Sequence, residues 1–140
     1  MSDRFFIDTN VLVYSFDTRF PEKKTRATQL IGEALSTRNG IISYQVVQEF
    51  LNVSTRKFAV PLSDADRQRY LNMVLLPLCE VFPSIDFYVR GLDISNRFGF
   101  SFYDSLIVAG ALTGNCSILY SEDLQHGQRI EHLTICNPFL

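Results

Sequence analysis

The sequence lacks several features that mark membrane, secreted or broadly basic proteins. It contains no apolar run of membrane-spanning length and no basic and apolar signal pattern at its N-terminus, so we expect a cytoplasmic protein without membrane association. Its three cysteines, Cys79, Cys116 and Cys136, are odd in number and widely spaced, which favours buried thiols over a disulfide or zinc set. The net charge of −2 excludes the global basic signature that many nucleic-acid binders carry.

The chain contains no internal repeat, low-complexity segment or linker. Its 140 residues are 46% apolar and 20% charged, an ordinary globular composition. This length is sufficient for one substantial core, so we expect residues 1–140 to form a single domain.

Short apolar runs alternate along the chain with segments of helical periodicity. Strands are predicted before Asp8 and at 41–43, 78–82, 117–120 and 133–136. Helices are predicted at 22–36, 45–57, 84–98 and 101–113, with another that opens at Ser63 and ends before Pro77. Asn39 and Gly40 are expected to supply the left-handed stop of the first long helix. This alternation predicts a three-layer α/β/α sandwich around a mainly parallel five-stranded sheet.

The first apolar run ends abruptly in a polar group. Phe5, Phe6 and Ile7 are followed by Asp8, Thr9 and Asn10 and then by an apolar, helix-compatible run. Ligands bind parallel sheets at the strand ends where the strand order reverses, so Asp8 is a candidate binding carboxylate. Asp8 or Asn10 can equally cap the next helix or shape a turn.

Three further acids occupy positions where apolar residues are expected. Glu49 lies three residues after Val46 on its helix, and Asp104 aligns with Ile107 on another. Asp123 follows the predicted fourth strand. Buried carboxylates are costly unless they are paired or bound to a metal, so the four acids together indicate a shared cation site.

Each of these three acids also has a purely structural interpretation. Asp104 can complete a capping box with Ser101, and Asp123 can cap a turn. Glu49 can reach solvent if its helix is tilted, although an acid in mid-helix on an apolar stripe has few structural uses.

Four segments resemble one known family. They are Asp8-Thr9-Asn10, Gln48-Glu49-Phe50, the run 102–109 (FYDSLIVA) and the run 119–127 (LYSEDLQHG). In this order and spacing the sequence resembles the PIN-domain ribonucleases, and among them the VapC-type toxins of bacterial toxin–antitoxin pairs.

The resemblance implies a metal-dependent endoribonuclease that acts as a toxin on RNA. Asp8, Glu49, Asp104 and Asp123 would be the acidic quartet that holds Mg²⁺ or Mn²⁺, with Asn10 and Ser121 supporting them. A cognate antitoxin protein and a homodimer are the expected partners. Many family members place another acid just after the position of Asp123, whereas Gln125 and His126 follow here, so a second metal site is less secure.

Two other functions are compatible with parts of the sequence. A PIN-like scaffold would bind RNA or protein without cleavage, although the four acids argue against it. A haloacid-dehalogenase-like phosphatase also begins with an Asp after its first strand, but it needs a second Asp where this chain has Asn10.

The sequence also suggests contact surfaces for the expected partners. Basic residues (Lys23, Lys24, Arg26, Arg56 and Lys57) are candidates for RNA contact, although each can equally belong to a solvated helix face. Apolar residues of the first helix (Val11, Leu12, Tyr14 and Phe16) are candidates for a groove that takes an antitoxin helix.

Overall fold

The structure, a computed structural model, describes residues 3–56, 58 and 61–140. Six strands form one sheet: β1 (Phe5–Ile7), β2 (Gly40–Ser43), β3 (Cys79–Val81), β4 (Ile118–Tyr120), β5 (Arg129–Ile130) and β6 (Leu133–Cys136). The helices are α1 (Thr9–Tyr14), α2 (Pro21–Thr37), α3 (Tyr44–Arg56), α4 (Asp64–Tyr70), α5 (Leu76–Leu78), α6 (Ile85–Phe98) and α7 (Phe102–Thr113). No helix in these ranges is long and apolar enough to cross a membrane.

The sheet has the order β3-β2-β1-β4-β6-β5, and all neighbouring strands are parallel except β5 and β6. The predicted α/β sandwich with a mainly parallel sheet is therefore confirmed, with six strands instead of five. The extra strand, β5, is only two residues long and forms an antiparallel hairpin with β6. Two residues are too few to show a periodic pattern, which explains why the sequence did not reveal this strand.

The strand order reverses between β1 and β4. From β1 the chain builds outward through β2 to β3, and it then returns to place β4 on the other side of β1. The carboxyl ends of β1 and β4 therefore form the switch point of the sheet, where ligands of such folds bind.

Helices cover both faces of the sheet. Successive side chains of β1 point in opposite directions, so the strand presents an apolar side chain to each layer of helices. Phe5 packs beside Gly40 of β2, on the face where Ala34 of α2 lies. Phe6 lies next to Gly110 of α7. A Cβ atom on Gly40 would lie only 2.3 Å from the Cβ of Ala34, so only glycine permits this approach of α2. α6 packs on the outside of α7.

The first helix contributes to the core more than to the surface. Val11 and Leu12 are fully buried, so the predicted antitoxin groove is wrong for these two residues. Tyr14 and Phe16 are half-buried and pack against the core. An apolar run that directly follows a central strand is buried under the neighbouring helices α2 and α3, which both contact α1.

Two predicted helix ends were also wrong. The helix expected to stop before Pro77 continues from α4 through a π-helical segment (Leu71–Leu75) into α5. Pro77 is the second residue of α5, directly after the π-helical segment. Helix α2 ends at Arg38, which adopts the left-handed conformation (φ 61°), and Gly40 instead begins β2.

Candidate active site

Asp8 lies at the switch point of the sheet. Its backbone N–H donates to the carbonyl of Tyr120 at 3.0 Å, which joins the ends of β1 and β4. It is also the N-cap of α1, since its Oδ1 accepts a hydrogen bond from the Thr9 backbone N–H at 2.7 Å. The carboxylate thus combines the two interpretations of the sequence, a helix cap and an acid at the sheet mouth. Only 8% of Asp8 is exposed.

The second carboxylate oxygen of Asp8 is approached by polar side chains from helix α1 and from the loop after β4. Ser121, which directly follows β4 and is fully buried, donates to Oδ2 at 2.8 Å, and Asn10 Nδ2 lies 3.5 Å away. Burial raises the pKa of Asp8 to about 7, although the hydrogen bonds from Ser121 and Thr9 oppose the shift. The site therefore holds an acid that is costly to ionise without a cation.

Asp123 is connected to Asp8 through the same two side chains. Asn10 Nδ2 donates to Asp123 Oδ2 at 3.0 Å, and the Asp123 backbone N–H donates to Ser121 Oγ at 3.2 Å. Asp123 is exposed, and its negative charge contributes to the raised pKa of Asp8. Asn10 and Ser121 thus lie between the two acids.

Glu49 approaches Asp8 from helix α3. It is half-buried, and its Oε1 accepts a hydrogen bond from Thr9 Oγ1 at 2.8 Å. Its charge also raises the pKa of Asp8. Thr9, to which the sequence analysis gave no role, therefore contacts both acids. Its position as the first residue of α1, next to Asp8, was the available signal.

Asp104 lies at the third position of α7 and is half-buried. Its backbone N–H donates to Ser101 Oγ at 3.2 Å, so Ser101 is the helix cap. Within residues 3–56, 58 and 61–140 the Asp104 carboxylate makes no hydrogen bond or ion pair, and only half of the predicted capping box forms. Its charge is also not among the causes that raise the pKa of Asp8.

The donor chemistry of this site suits a hard cation. The side-chain atoms are carboxylate, hydroxyl and amide oxygens, the ligands that Mg²⁺ and Mn²⁺ prefer. In the part of the chain that the structure describes, none of the four acids pairs with a Lys or Arg. Among the same residues, no three His, Cys, Asp or Glu side chains converge closely enough to hold a metal ion. Thr9 and Asn10 lie between the acids, so gathering them around a cation requires side-chain movement.

The residue between Ser121 and Asp123 anchors this loop to the helices. Glu122 accepts hydrogen bonds from Lys23 Nζ and from the Tyr14 hydroxyl, both at 2.6 Å. Partial burial acts to raise the pKa of Glu122, but these two donors lower it overall. The Lys23 ammonium also lies 4.7 Å from the ring centroid of Tyr14 and 5.6 Å from that of Phe139.

This arrangement changes the interpretation of the basic residues. Lys23 pairs with Glu122, and its role in RNA contact stays a prediction. Arg26 donates to the carbonyl of Pro138 at 3.2 Å. Arg56 is exposed at the end of α3 and stays a candidate, as does Lys24, whereas Lys57 lies outside the described residues.

Solved structures share this fold over nearly their whole length. A chain of a toxin–antitoxin complex from Klebsiella pneumoniae has a TM-score of 0.67 at 19% identity, covering 95% of this chain and 96% of that chain. A chain of DNA-bound VapBC from Salmonella typhimurium has a TM-score of 0.64 at 16% identity, covering 96% and 97%. A chain of FitAcB from Neisseria gonorrhoeae has a TM-score of 0.62 at 16% identity, covering 96% and 98%.

At these identities the likeness shows a shared fold. No curated protein matches the chain. The family model of the PIN domain matches residues 5–129, which include β1, the switch point and all four acids. The chain therefore belongs to the PIN-domain family.

Proposed function

We propose that this protein is a metal-dependent endoribonuclease and the toxin of a type II toxin–antitoxin pair. The observation that carries the proposal is Asp8, a buried carboxylate without a cationic partner among the described residues, at the switch point of a PIN fold. Glu49 and Asp123 add negative charge beside it. The acids of this cluster oppose each other's ionisation, which lowers the stability of the ionised protein when no cation is bound.

Asp8, Glu49, Asp104 and Asp123 would hold the Mg²⁺ or Mn²⁺. When bound, the cation lowers the pKa of a water and offsets the charge that develops during phosphodiester hydrolysis. The protein supplies the arrangement of oxygen donors at the sheet edge.

The chain's own residues divide this work. Ser121 and the Thr9 backbone fix the orientation of Asp8, which makes it the central acid. Glu49 on α3 and Asp104 on α7 are free of ion pairs in the described ranges, so either can turn toward a cation or orient the attacking water. Asn10 donates to Asp123 and so holds this acid beside Asp8.

The structural relatives support a protein partner. The Klebsiella pneumoniae structure is a toxin–antitoxin complex and the Salmonella typhimurium structure is VapBC, so we propose an antitoxin protein that binds over the acids. An antitoxin arginine would pair with the exposed carboxylates in bidentate geometry. We further propose a single cytoplasmic domain that forms homodimers.

Cleavage of RNA tests the enzymatic half of this proposal. Purified protein is incubated with total RNA in Mn²⁺, in Mg²⁺ and in EDTA, and new RNA ends are mapped. We expect metal-dependent cleavage by the wild type and by Asp86→Asn, an exposed acid on α6 that serves as the control. Absence of cleavage in both metals would leave the non-catalytic scaffold as the better description.

Growth tests the toxin half. Induction of the wild-type gene should arrest growth, and co-expression of the product of the adjacent gene should restore growth and co-purify with the protein. A pair that neither associates nor restores growth would contradict the toxin assignment while leaving the nuclease assignment intact.

A further inference from the structure

The turn before β5 carries a histidine that the proposed function does not use. His126 lies in the turn 125–128, which hydrogen bonds attach to β6. The Gly127 N–H donates to the Ile135 carbonyl at 2.7 Å, and the Ile135 N–H donates to the Gln128 carbonyl at 2.9 Å. Gly127 has φ 86°, a left-handed conformation that favours glycine. His126 itself is exposed. It is therefore a solvent-accessible side chain on a backbone that β6 holds in place.

The ring of His126 has a defined tautomer. The Asn137 backbone N–H donates to His126 Nδ1 at 2.9 Å. Because a backbone N–H can only donate, Nδ1 is the unprotonated nitrogen, and the neutral ring carries its hydrogen on Nε2. Among the residues that the structure describes, Nε2 makes no hydrogen bond, and His126 pairs with no acid. His126 thus offers an unused donor to the solvent.

Asn137, which is bonded to His126, has the same arrangement. Its Oδ1 accepts a hydrogen bond from the Phe139 backbone N–H at 2.9 Å, which identifies the other terminal atom, Nδ2, as the amide nitrogen. Nδ2 has no acceptor within the described part of the chain. In both side chains a backbone N–H uses the acceptor atom and only donors remain. A ligand of this pair must therefore supply acceptors, as the oxygens of an anion do.

The two donors lie at the same edge of the sheet as the acids. Asn137 directly follows β6, and the Ser121 N–H donates to the last carbonyl of β6 at 3.0 Å. Because neighbouring strands lie about 4.8 Å apart, Asn137 is roughly one strand spacing from Ser121, which donates to Asp8. His126 follows Asp123 by three residues, which span at most about 11 Å.

This side of the site lacks the negative charge of the acids. Residues 124–140 contain a single acid, Glu131. It pairs with Arg90 at 3.7 Å and with Arg97 at 3.3 Å, so its charge is balanced. A polyanion that reaches the acidic site is met here by hydrogen-bond donors and not by carboxylates.

We propose that His126 and Asn137 bind a phosphate of the RNA strand next to the phosphate that is cleaved. This inference rests on the proposed function and identifies the side on which the strand continues beyond the acids. Side-chain donors to phosphate oxygens fix the register of a nucleic acid without reading its bases. The pair therefore positions the strand across the acids and does not select the sequence that is cut.

Binding of RNA in EDTA tests the pair separately from catalysis. The probes are fluorescently labelled single-stranded oligoadenylate and oligouridylate of equal length, titrated with the protein at low ionic strength and followed by anisotropy. His126→Asn keeps an acceptor for the Asn137 N–H but removes the donor at the position of Nε2. Both probes should therefore bind about tenfold more weakly, the lower end for one hydrogen bond to a charged group.

Two variants are matched to this one. His126→Gln carries an amide nitrogen that reaches the position of Nε2, so it should retain most of the RNA affinity. His132→Asn is the control, since His132 is the other histidine and is exposed in the turn between β5 and β6. A purely structural role of His126 predicts the opposite order, because Asn and not Gln preserves the contact with Asn137.

Asn137→Asp tests the second donor. The carboxylate still accepts from the Phe139 N–H, but it replaces the donor by a negative charge, so RNA binding should fall by more than tenfold. Leu140→Asp adds the same charge at a position that is 85% exposed, and it should weaken binding much less. The Tm of each variant is measured alongside and should match that of the wild type.

Kinetics give a readout that a structural role would not produce. With Mn²⁺ present, His126→Asn should raise KM for RNA about tenfold and leave kcat near the wild-type value, because the acids and Ser121 are untouched.

Each outcome bears on one proposal at a time. Wild-type RNA binding that is undetectable, or RNA affinity that is unchanged in His126→Asn and Asn137→Asp, would overturn the phosphate site even if RNA is cleaved. A loss with only one of the two oligonucleotides would indicate a base contact and also overturn it. Variants that keep RNA affinity but lose the antitoxin would assign the pair to that protein instead. Weaker binding by both variants of a protein that never cleaves RNA would support the phosphate site and contradict the nuclease.

Discussion

The two halves of the acidic site are held very differently. On the β1–β4 half, Asp8 accepts hydrogen bonds from Thr9 and Ser121, and Asp123 accepts one from Asn10. On the helical half, Glu49 has a single donor, and the Asp104 carboxylate has none among the described residues. The fold therefore constrains the first half with more hydrogen bonds than the second.

The fold affects the position of Asp8 and its ionisation in opposite ways. The fold fixes where Asp8 lies, yet it raises the pKa of Asp8 to about 7 through burial. The burial that fixes Asp8 at the sheet edge thus also makes its carboxyl group harder to ionise. A cation would relieve this cost and would also recruit Glu49 and Asp104, so we expect the two halves to respond differently to mutation, pH and metal.

The largest expected effect is the loss of activity when Asp8, on the β1–β4 half, is replaced. Asp8→Asn keeps the shape of the side chain but removes the central charge, so RNA cleavage should fall by more than the roughly 100-fold seen for residues that only support a metal ligand. The measurement is the initial rate of RNA cleavage in Mn²⁺, with Asp86→Asn as the control. Undiminished cleavage by pure Asp8→Asn protein would contradict the assignment of Asp8.

The next effect is a pH dependence of stability in EDTA. The pKa of Asp8 is about 7 in the folded protein, against 3.8 as its ordinary value. Between these values the folded protein keeps a proton that the unfolded chain has released, so the free energy of unfolding falls as the pH rises. The upper bound is about 4 kcal/mol, at 1.36 kcal/mol per pKa unit.

Urea unfolding at pH 5 and pH 8 measures this dependence. Wild type and Asp8→Asn are compared at each pH, because the difference removes the contribution of other groups. Asp8→Asn should gain stability relative to the wild type as the pH rises. An equal difference at both pH values would show that Asp8 ionises normally in the folded protein.

A smaller effect is expected from metal binding, and it tests the helical half, Glu49 and Asp104. A cation that binds only the folded state stabilises it by about 2.7 kcal/mol at 100 times its Kd. Tm should therefore rise with Mn²⁺ more than with NaCl of equal ionic strength. Asp104→Asn should reduce this rise while leaving the metal-free protein as stable as the wild type or more so.

The same variant distinguishes the two interpretations of Asp104. If the residue serves only the helix terminus, its replacement should destabilise the metal-free protein by about 0.5–2 kcal/mol. The Mn²⁺-dependent rise in Tm should then be unchanged. Ser101 already caps the helix, so we expect the first result.

The smallest effect concerns the Lys23–Glu122 ion pair, which anchors the loop after β4 on the β1–β4 half. Lys23→Met removes the 2.6 Å ion pair with Glu122 and frees the loop that carries Ser121 and Asp123. Metal affinity, measured by calorimetry, should fall by about tenfold, the lower end for groups that orient ligands. Cleavage at saturating metal should persist.

Two further variants serve as controls for the anchor. Lys23→Arg should recover most of the affinity, and Lys24→Met, the adjacent lysine, should behave like the wild type. An unchanged metal affinity in Lys23→Met would limit the ion pair to a structural role.

Much of the fold follows from local sequence patterns. The apolar periodicity of α2 and α6 and the caps at Ser84 and Ser101 are strong local signals. The errors occur where tertiary contacts outweigh local propensity. Gly40 was expected to end a helix but is a strand residue, because only glycine fits between Ala34 and Phe5.

The site shows the same limit. The acids could be found because carboxylates stand out at strand ends and on apolar helix faces. Their connections could not be found, since the Thr9–Glu49 and Asn10–Asp123 hydrogen bonds join residues 40 and 113 positions apart. Lys23 is another example, because nothing around it in the sequence indicates Glu122 as its partner.

The central place of β1 also affects when the site comes into existence during synthesis. Asp8 is made 113 residues before Ser121, and the β4 strand that completes its surroundings also follows it along the chain. A ribosome that releases the chain early, or a transcript that is truncated, therefore yields a polypeptide with the acid but without the site. For a protein proposed to cut RNA, this order of assembly delays activity until Asp123, the last of the four acids, has been translated.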